Sequence, residues 1–180
     1  ANQHRGNFVM HYIGLSTCDT ANGPGVGFRF LFGLHPALQG VLNPESWDFE
    51  AGKPFTDETL ATLVKALEEP YVEGLSLLGG DPLEPRNESE VLRIVKTVRE
   101  VRLLEVDLAL DGAQAREGGG LAVLEYVDVL VDGPFIEKHK MTKQGAWRGS
   151  DNQRIIPLVC GKVDDSDAGR AAAERAQVEH

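Results

Sequence analysis

The sequence predicts a single-domain α/β fold, and three observations support this prediction. The length of 180 residues is that of one domain. Segments rich in branched and aromatic residues alternate with segments whose apolar residues recur at helical spacing. Strand, helix, strand, helix in steady order is typical of parallel βαβ units, in which ligands bind where loops leave the carboxyl ends of strands. A partial, open barrel and a flat doubly wound sheet share this pattern, so the pattern alone leaves both open.

The amino-terminal half contains three predicted strands and one predicted helix. Residues 8–15 and 28–34 are rich in aromatic and branched side chains and predict strands. Thr56 is a suitable N-cap for a helix that Pro70 ends. The apolar stripe of this helix has the spacing i, i+3, i+4, i+7 and consists of Leu60, Leu63, Val64 and Leu67. A further strand is predicted at residues 72–78.

The carboxy-terminal half begins with the helix that has the strongest signals. Asn87 and Glu90 have the spacing of a capping box. The apolar stripe of this helix is Val91, Ile94, Val95 and Val98. The further elements expected are strands at 104–110, 126–131 and 153–159, a weaker helix within 113–125 and a polar loop at 137–151.

The two ends of the chain are expected to be peripheral to a domain at residues 8–160. Residues 1–7 are polar and predict a flexible N-terminus. Residues 161–180 form an acidic, Ala-rich tail. Its alanine run could form a helix, but the tail offers little apolar surface for docking.

Composition excludes several classes of protein. Lys and Arg number 18 and Asp and Glu number 28, so the net charge is −10. An acidic chain lacks the cationic footprint of sequence-independent nucleic-acid binding, and we expect no nucleic-acid partner. No apolar run approaches the ~20 residues that cross a bilayer, so no membrane association is expected. The two cysteines, Cys18 and Cys160, are too few for a disulfide scaffold and fit a reducing cytoplasm.

Two predicted strand ends carry residues suited to a ligand site. Gly79-Gly80-Asp81-Pro82 follows one strand, where two glycines let the backbone turn sharply and a ligand approach closely. Asp132 ends another strand. Either run could also be a simple turn. A general base at Asp81 or Asp132 would make the chain an ordinary α/β enzyme, but neither carboxylate is accompanied by a visible nucleophile or metal-ligand set.

Taken together, six segments resemble the activating proteins of anaerobic ribonucleoside-triphosphate reductase, which are small radical S-adenosylmethionine (SAM) enzymes. The segments are residues 22–25 (NGPG), 43–47 (NPESW), 54–56 (PFT), 75–83 (LSLLGGDPL), 127–135 (VDVLVDGPF) and 147–153 (WRGSDNQ). The resemblance spans about residues 8–158. It is specific because unrelated α/β proteins would not share all six segments in order.

The resemblance implies a fold, two cofactors and a partner. The fold would be the partial, open parallel β/α barrel of the radical SAM type. A 4Fe-4S cluster held by three cysteines would chelate SAM and cleave it to a 5′-deoxyadenosyl radical. That radical would take a hydrogen from a glycine of the large subunit of the reductase. Gly79, Gly80, Asp81 and Pro82 would contact the amino group of SAM.

The sequence departs from the family at the cluster ligands. The three cysteine positions fall on Leu34, Leu38 and Val41, which keep the spacing but lack the thiolates that hold iron–sulfur clusters. Aliphatic side chains there would gain roughly 1.5–3 kcal/mol each if fully buried. We therefore expect no cluster, no metal ligand and no radical chemistry in this chain.

Two histories and one alternative function remain open at this point. A natural member that lost its cofactor and a sequence rewritten to suit the backbone would both show these substitutions. The alternative function is that of a non-catalytic binding module. Such a module would dock the reductase through residues 147–153, or bind SAM or a nucleoside weakly through residues 79–82.

Overall fold

The structure is a computed structural model, and it describes residues 9–19, 26–32, 52–78, 82–101, 105–109, 121–141 and 148–178. Eight strands and four helices lie among these residues. The strands are β1 (His11–Asp19), β2 (Val26–Phe32), β3 (Lys53–Pro54), β4 (Val72–Leu78), β5 (Glu105–Ala109), β6 (Val129–Asp132), β7 (Arg154–Val159) and β8 (Lys162–Val163). The helices are α1 (Asp57–Leu67), α2 (Glu88–Val101), α3 (Leu121–Leu124) and α4 (Asp167–Val178), with one turn of 3₁₀ helix at Glu137–His139. None of these helices is both long and apolar enough to cross a membrane.

The strands form one sheet in the order β3-β1-β2-β4-β5-β6-β7-β8. The central strands β2, β4, β5 and β6 are mutually parallel, and the outer strands pair antiparallel. The carboxyl ends of the four parallel strands therefore meet at one end of the sheet, which we call the carboxyl end; the opposite one is the amino end. Strand order and pairing do not test whether the sheet curves into a partial barrel, which stays a prediction.

Helix α1 begins where the sequence predicts, at Thr56. The Thr56 hydroxyl accepts a hydrogen bond from the Thr59 N–H (3.2 Å), and the Thr56 N–H donates to the Thr59 hydroxyl (3.3 Å). This reciprocal arrangement is a capping box, which satisfies two backbone donors at the helix start. Leu63 and Leu67 of the predicted apolar stripe are buried.

Helix α2 buries the whole predicted stripe, Val91, Ile94, Val95 and Val98. The helix begins directly after the predicted cap residue Asn87, whose carbonyl accepts from the Val91 N–H (2.9 Å) and whose N–H donates to the Glu84 carbonyl (2.8 Å). The pairing of Asn87 with Glu90 stays a prediction, and the Glu90 carboxylate pairs with Arg93 at 2.7 Å. The same guanidinium also contacts Asp57 at 2.7 Å. Arg93 therefore joins α2 to the first turn of α1.

Most of the predicted elements are present, with shifted boundaries. The strand at 72–78 and the strand ending at 159 are confirmed. Of the weaker helix within 113–125, the described part is α3, and residues 110–120 lie outside the described residues. The short strands β3 and β8 were not predicted, since two residues carry no periodicity; their partners β1 and β7 define them.

The core lies around the central strands. Leu75 and Leu77 of β4 and Val106 and Leu108 of β5 are fully buried, and they belong to one cluster with the apolar stripes of α1 and α2. Burying a side chain of this size stabilises the fold by about 1.5–3 kcal/mol. The core therefore holds the central strands, and with them their carboxyl ends, in fixed positions.

The alanine run of the tail forms α4, which lies against β7. The Ser166 hydroxyl accepts a hydrogen bond from the Gly169 N–H (3.1 Å), and the Asp164 carboxylate accepts one from the Ser166 N–H (3.0 Å). Hydrogen bonds from the side chain and backbone of Ser166 lower the pKa of Asp164 below its ordinary value. Gly169 is buried, and a Cβ there would lie 2.3 Å from the carbonyl oxygen of Asp164.

We expect Gly169→Ala to destabilise α4 by about 1–3 kcal/mol, as overpacking does. Replacing a helical glycine with alanine normally stabilises the helix by about 1 kcal/mol. Destabilisation would therefore indicate the close contact with Asp164. Hydrogen exchange of the α4 amides measures it, and exchange should accelerate. Ala168→Gly, at an exposed neighbour, is the control and should lose only the intrinsic helix preference. Slower exchange in Gly169→Ala would contradict the close approach to Asp164.

Candidate functional site

The candidate site lies at the carboxyl end of the sheet, where the chain leaves β2, β4, β5 and β6. Leu31 of β2 pairs with Leu78 of β4, so the chain leaves these two strands at neighbouring points. Ala109 of β5 pairs with Val131 of β6 in the same way. Parallel sheets commonly bind ligands in this position. Of the residues predicted to be at the site, Gly79, Gly80, Asp81, Leu34, Leu38 and Val41 lie outside the described residues.

Pro82 is the described member of the predicted SAM-contact run, and it is buried. Leu83 follows it into the core with 2% exposure. Glu84 and Asn87 are buried polar residues in the same connection. The Glu84 carbonyl accepts hydrogen bonds from the N–H groups of Asn87 (2.8 Å) and Glu88 (3.0 Å). The described part of the connection from β4 to α2 is therefore largely buried, and Glu84 is a buried acidic residue that the sequence analysis did not single out.

The best-defined part of the site is formed by residues 132–141 and 148–154, which we call the arm. It joins two segments that the sequence analysis singled out, DGPF and RGSDNQ. Asp132, at the end of β6, forms an ion pair with Arg154, the first residue of β7. The Asn152 side-chain amide donates to the Pro134 carbonyl (2.8 Å). Asp132 is thus engaged in holding β6 to β7, which does not favour a general-base role.

Gln153 lies at the centre of the arm and is buried. Its amide nitrogen donates to the Gly133 carbonyl (2.9 Å). Its amide oxygen accepts from the N–H groups of Gly149 (2.9 Å) and Ser150 (3.1 Å). The Arg148 guanidinium donates to the Gln153 carbonyl (2.8 Å). One buried side chain therefore holds together the two segments of the arm.

Two glycines of the arm are required by its geometry. Gly133 has a φ of 123°, a conformation that residues with a Cβ rarely adopt. At Gly149, a Cβ would lie 2.9 Å from Cδ2 of the Phe135 ring. The second glycine therefore lets the ring of Phe135 pack against the turn at 149.

The two described sides of the predicted polar loop at 137–151 are hydrogen-bonded to each other. The Met141 N–H donates to the Gly149 carbonyl (2.9 Å), and the Asp151 N–H donates to the His139 carbonyl (2.9 Å). The His139 ring lies 2.8 Å from the Asp151 carboxylate. The buried Ser150 hydroxyl accepts from the Ile136 N–H (3.2 Å). Residues 142–147, with Trp147, lie outside the described residues.

The cysteines of the chain do not fit an iron–sulfur cluster at the carboxyl end. Cys18 lies beside the amino end of β2, since its neighbour Asp19 pairs with Gly27. Cys160 follows β7, which runs antiparallel to β6, and therefore lies at the amino end of β6. At about 3.3 Å per strand residue, both are roughly 13–20 Å from the carboxyl end.

A cluster at the carboxyl end would therefore have no thiolate ligand from this chain, which contains no third cysteine. Among the described residues, no group of three or more His, Cys, Asp and Glu side chains could hold a metal ion. The residues present thus do not fit a 4Fe-4S cluster held by this chain.

Comparisons with known proteins relate the chain to iron–sulfur proteins. A family model described as "4Fe-4S single cluster domain" matches residues 21–156. The chain is 39% identical over 148 residues to the anaerobic ribonucleoside-triphosphate reductase-activating protein of Enterobacteria phage T4, covering 81% of this chain and 93% of the relative. The proteins of the same name from Pasteurella multocida and Escherichia coli K12 are 35% and 31% identical over 159 and 157 residues, covering 81% and 83% of this chain and 96% and 99% of the relatives.

We expect Gln153→Ala to lower the free energy of unfolding by about 2–4 kcal/mol, since buried polar groups left without partners cost about 1–3 kcal/mol each. Gln153→Glu keeps the acceptor for the two N–H groups but places a carboxylate oxygen against the Gly133 carbonyl in a buried position, so it should also lower the free energy of unfolding. Asn152→Ala is the control: it removes one exposed hydrogen bond and should cost about 1 kcal/mol or less. Urea unfolding measures all three. Equal losses for Gln153→Ala and Asn152→Ala would contradict the central role of Gln153.

Proposed function

The chain belongs to the family of anaerobic ribonucleoside-triphosphate reductase-activating proteins, and we propose that it binds the reductase without generating a radical through a cluster of its own. One observation carries the proposal. The hydrogen bonds of the Gln153 side chain join the two segments of the arm at the carboxyl end of the sheet, whereas both cysteines are at the amino end. The chain thus forms the arm at the carboxyl end of the sheet but has no cysteine there to bind a cluster.

The arm supports binding because its shape is fixed before a partner arrives. Buried Gln153 and Ser150 have hydrogen-bond partners, and satisfied polar networks hold a segment in one arrangement. A surface that is already ordered loses less conformational entropy on association. The partner proposed is the large subunit of the anaerobic reductase, as the family resemblance implies, in a reducing cytoplasm.

We expect SAM to bind weakly. In the family, an open iron position would chelate the amino and carboxylate groups of SAM. Without that iron, only Gly79, Gly80, Asp81 and Pro82 would remain to contact the SAM amino group. The carboxylate and backbone carbonyls of this short run are few acceptors for an ammonium group, so we expect low affinity. The proposed role contains no step that passes through a cluster.

We predict that the chain binds the reductase and leaves it without a glycyl radical. Binding is measured anaerobically by surface plasmon resonance, with and without iron and SAM. Electron paramagnetic resonance then detects any radical after incubation with iron, sulfide, SAM and a reductant. The phage T4 activating protein is the positive control for both measurements.

Saturable binding that does not depend on iron, with no radical signal, is the expected result. No binding at concentrations at which the phage T4 protein binds would overturn the proposed function. A radical signal from the unmodified chain would show that it has the complete activity implied by the family resemblance.

A further inference from the structure

Residues 132–154 comprise the arm and residues 142–147 between its two segments. This stretch carries an excess of positive charge in an acidic chain. Residues 132–154 contain five Lys and Arg and three Asp and Glu, whereas the whole chain has a net charge of −10. A local reversal of sign on an otherwise acidic protein directs the approach of a charged partner to one face.

Three cations of the arm have no carboxylate partner among the described residues. Lys138 and Lys140 are exposed, and neither is paired with a carboxylate there. Arg148 is half-buried and donates to the backbone carbonyl of Gln153. By contrast, Arg154 is paired with Asp132 in the same arm.

These cations are held on a fixed backbone. The Lys140 N–H donates to the Glu137 carbonyl (3.1 Å), and Lys140 forms a β-bridge with Ser150. The His139 N–H donates to the Ile136 carbonyl (2.8 Å), and Ile136 exposes 37% of its surface beside them. The arm therefore presents positive charge next to an apolar side chain, a combination suited to a protein partner.

We propose that Lys138, Lys140 and Arg148 dock an acidic segment of the large subunit of the reductase. The inference rests on the proposed function and names the surface that performs it. The net charge of −10 opposes association with an acidic partner, so the local excess of positive charge makes this face a favourable place for an acidic segment to approach. The same net charge disfavours a nucleic acid as the occupant.

The test compares two double charge reversals that change the net charge equally. Lys138→Glu/Lys140→Glu alters the arm. Lys65→Glu/Lys162→Glu alters two exposed lysines at the amino end of the sheet, in the last turn of α1 and in β8. Binding to the reductase is measured by surface plasmon resonance at low and high salt, and thermal unfolding checks that each variant is folded.

The arm variant should bind about tenfold or more weakly, mostly through a slower association rate, since exposed interface charges act on the rate of encounter. The control variant should stay within about twofold of the unmodified chain. Added salt should weaken the unmodified chain more than the arm variant. Lys138→Gln/Lys140→Gln, which removes charge without reversing it, should give an intermediate loss and serves if the first variant does not fold.

The outcomes separate this inference from the proposed function. If the unmodified chain binds and both reversals bind equally well, the arm is not the docking surface, while the proposed function stands. If both reversals weaken binding equally, net charge and not the arm is responsible. If the unmodified chain does not bind at all, the proposed function fails and the inference fails with it.

Discussion

The parallel hydrogen bonding of β2, β4, β5 and β6 places the carboxyl ends of these four strands side by side. The positions of the candidate site and of both cysteines depend on this pairing. It brings the exits from β2 and β4 together at the candidate site. Because β1 and β7 run antiparallel to their neighbours, it also places Cys18 and Cys160 at the other end of the sheet. The same topology thus creates the site and separates it from the two thiols.

Polar interactions define the arm, whereas Pro82 and Leu83 of the same site are held by burial. Gln153 contacts three backbone groups of the arm, and Asp132 and Arg154 join the strands from which the arm extends. Such a network specifies one shape at modest net stability, because each hydrogen bond replaces one to water. A surface of fixed shape whose cations have no carboxylate partner among the described residues is suited to recognising a partner, which is a function that needs no cluster.

Local signals predicted the elements whose causes are local. Thr56 caps α1, the stripe of α2 is buried and β4 has the predicted bounds, since capping and periodicity act within a few residues. The strands β3 and β8 could not be predicted because only their partners define them. The role of Gln153 and the position of Cys160 depend on register between distant strands, which no local pattern encodes. Residues 34, 38, 41 and 79–81 lie outside the described residues, so their predicted roles stay predictions.

The most direct test of whether this chain lacks ligands for a cluster is anaerobic reconstitution with iron and sulfide. Bound iron is then quantified, and the visible absorbance is recorded. The unmodified chain should bind no more iron than a Cys18→Ser/Cys160→Ser variant. A variant with Leu34→Cys, Leu38→Cys and Val41→Cys should bind about four irons per chain, because it restores three thiolates at the family spacing. About four irons bound to the unmodified chain would contradict the conclusion that its own residues do not fit a cluster.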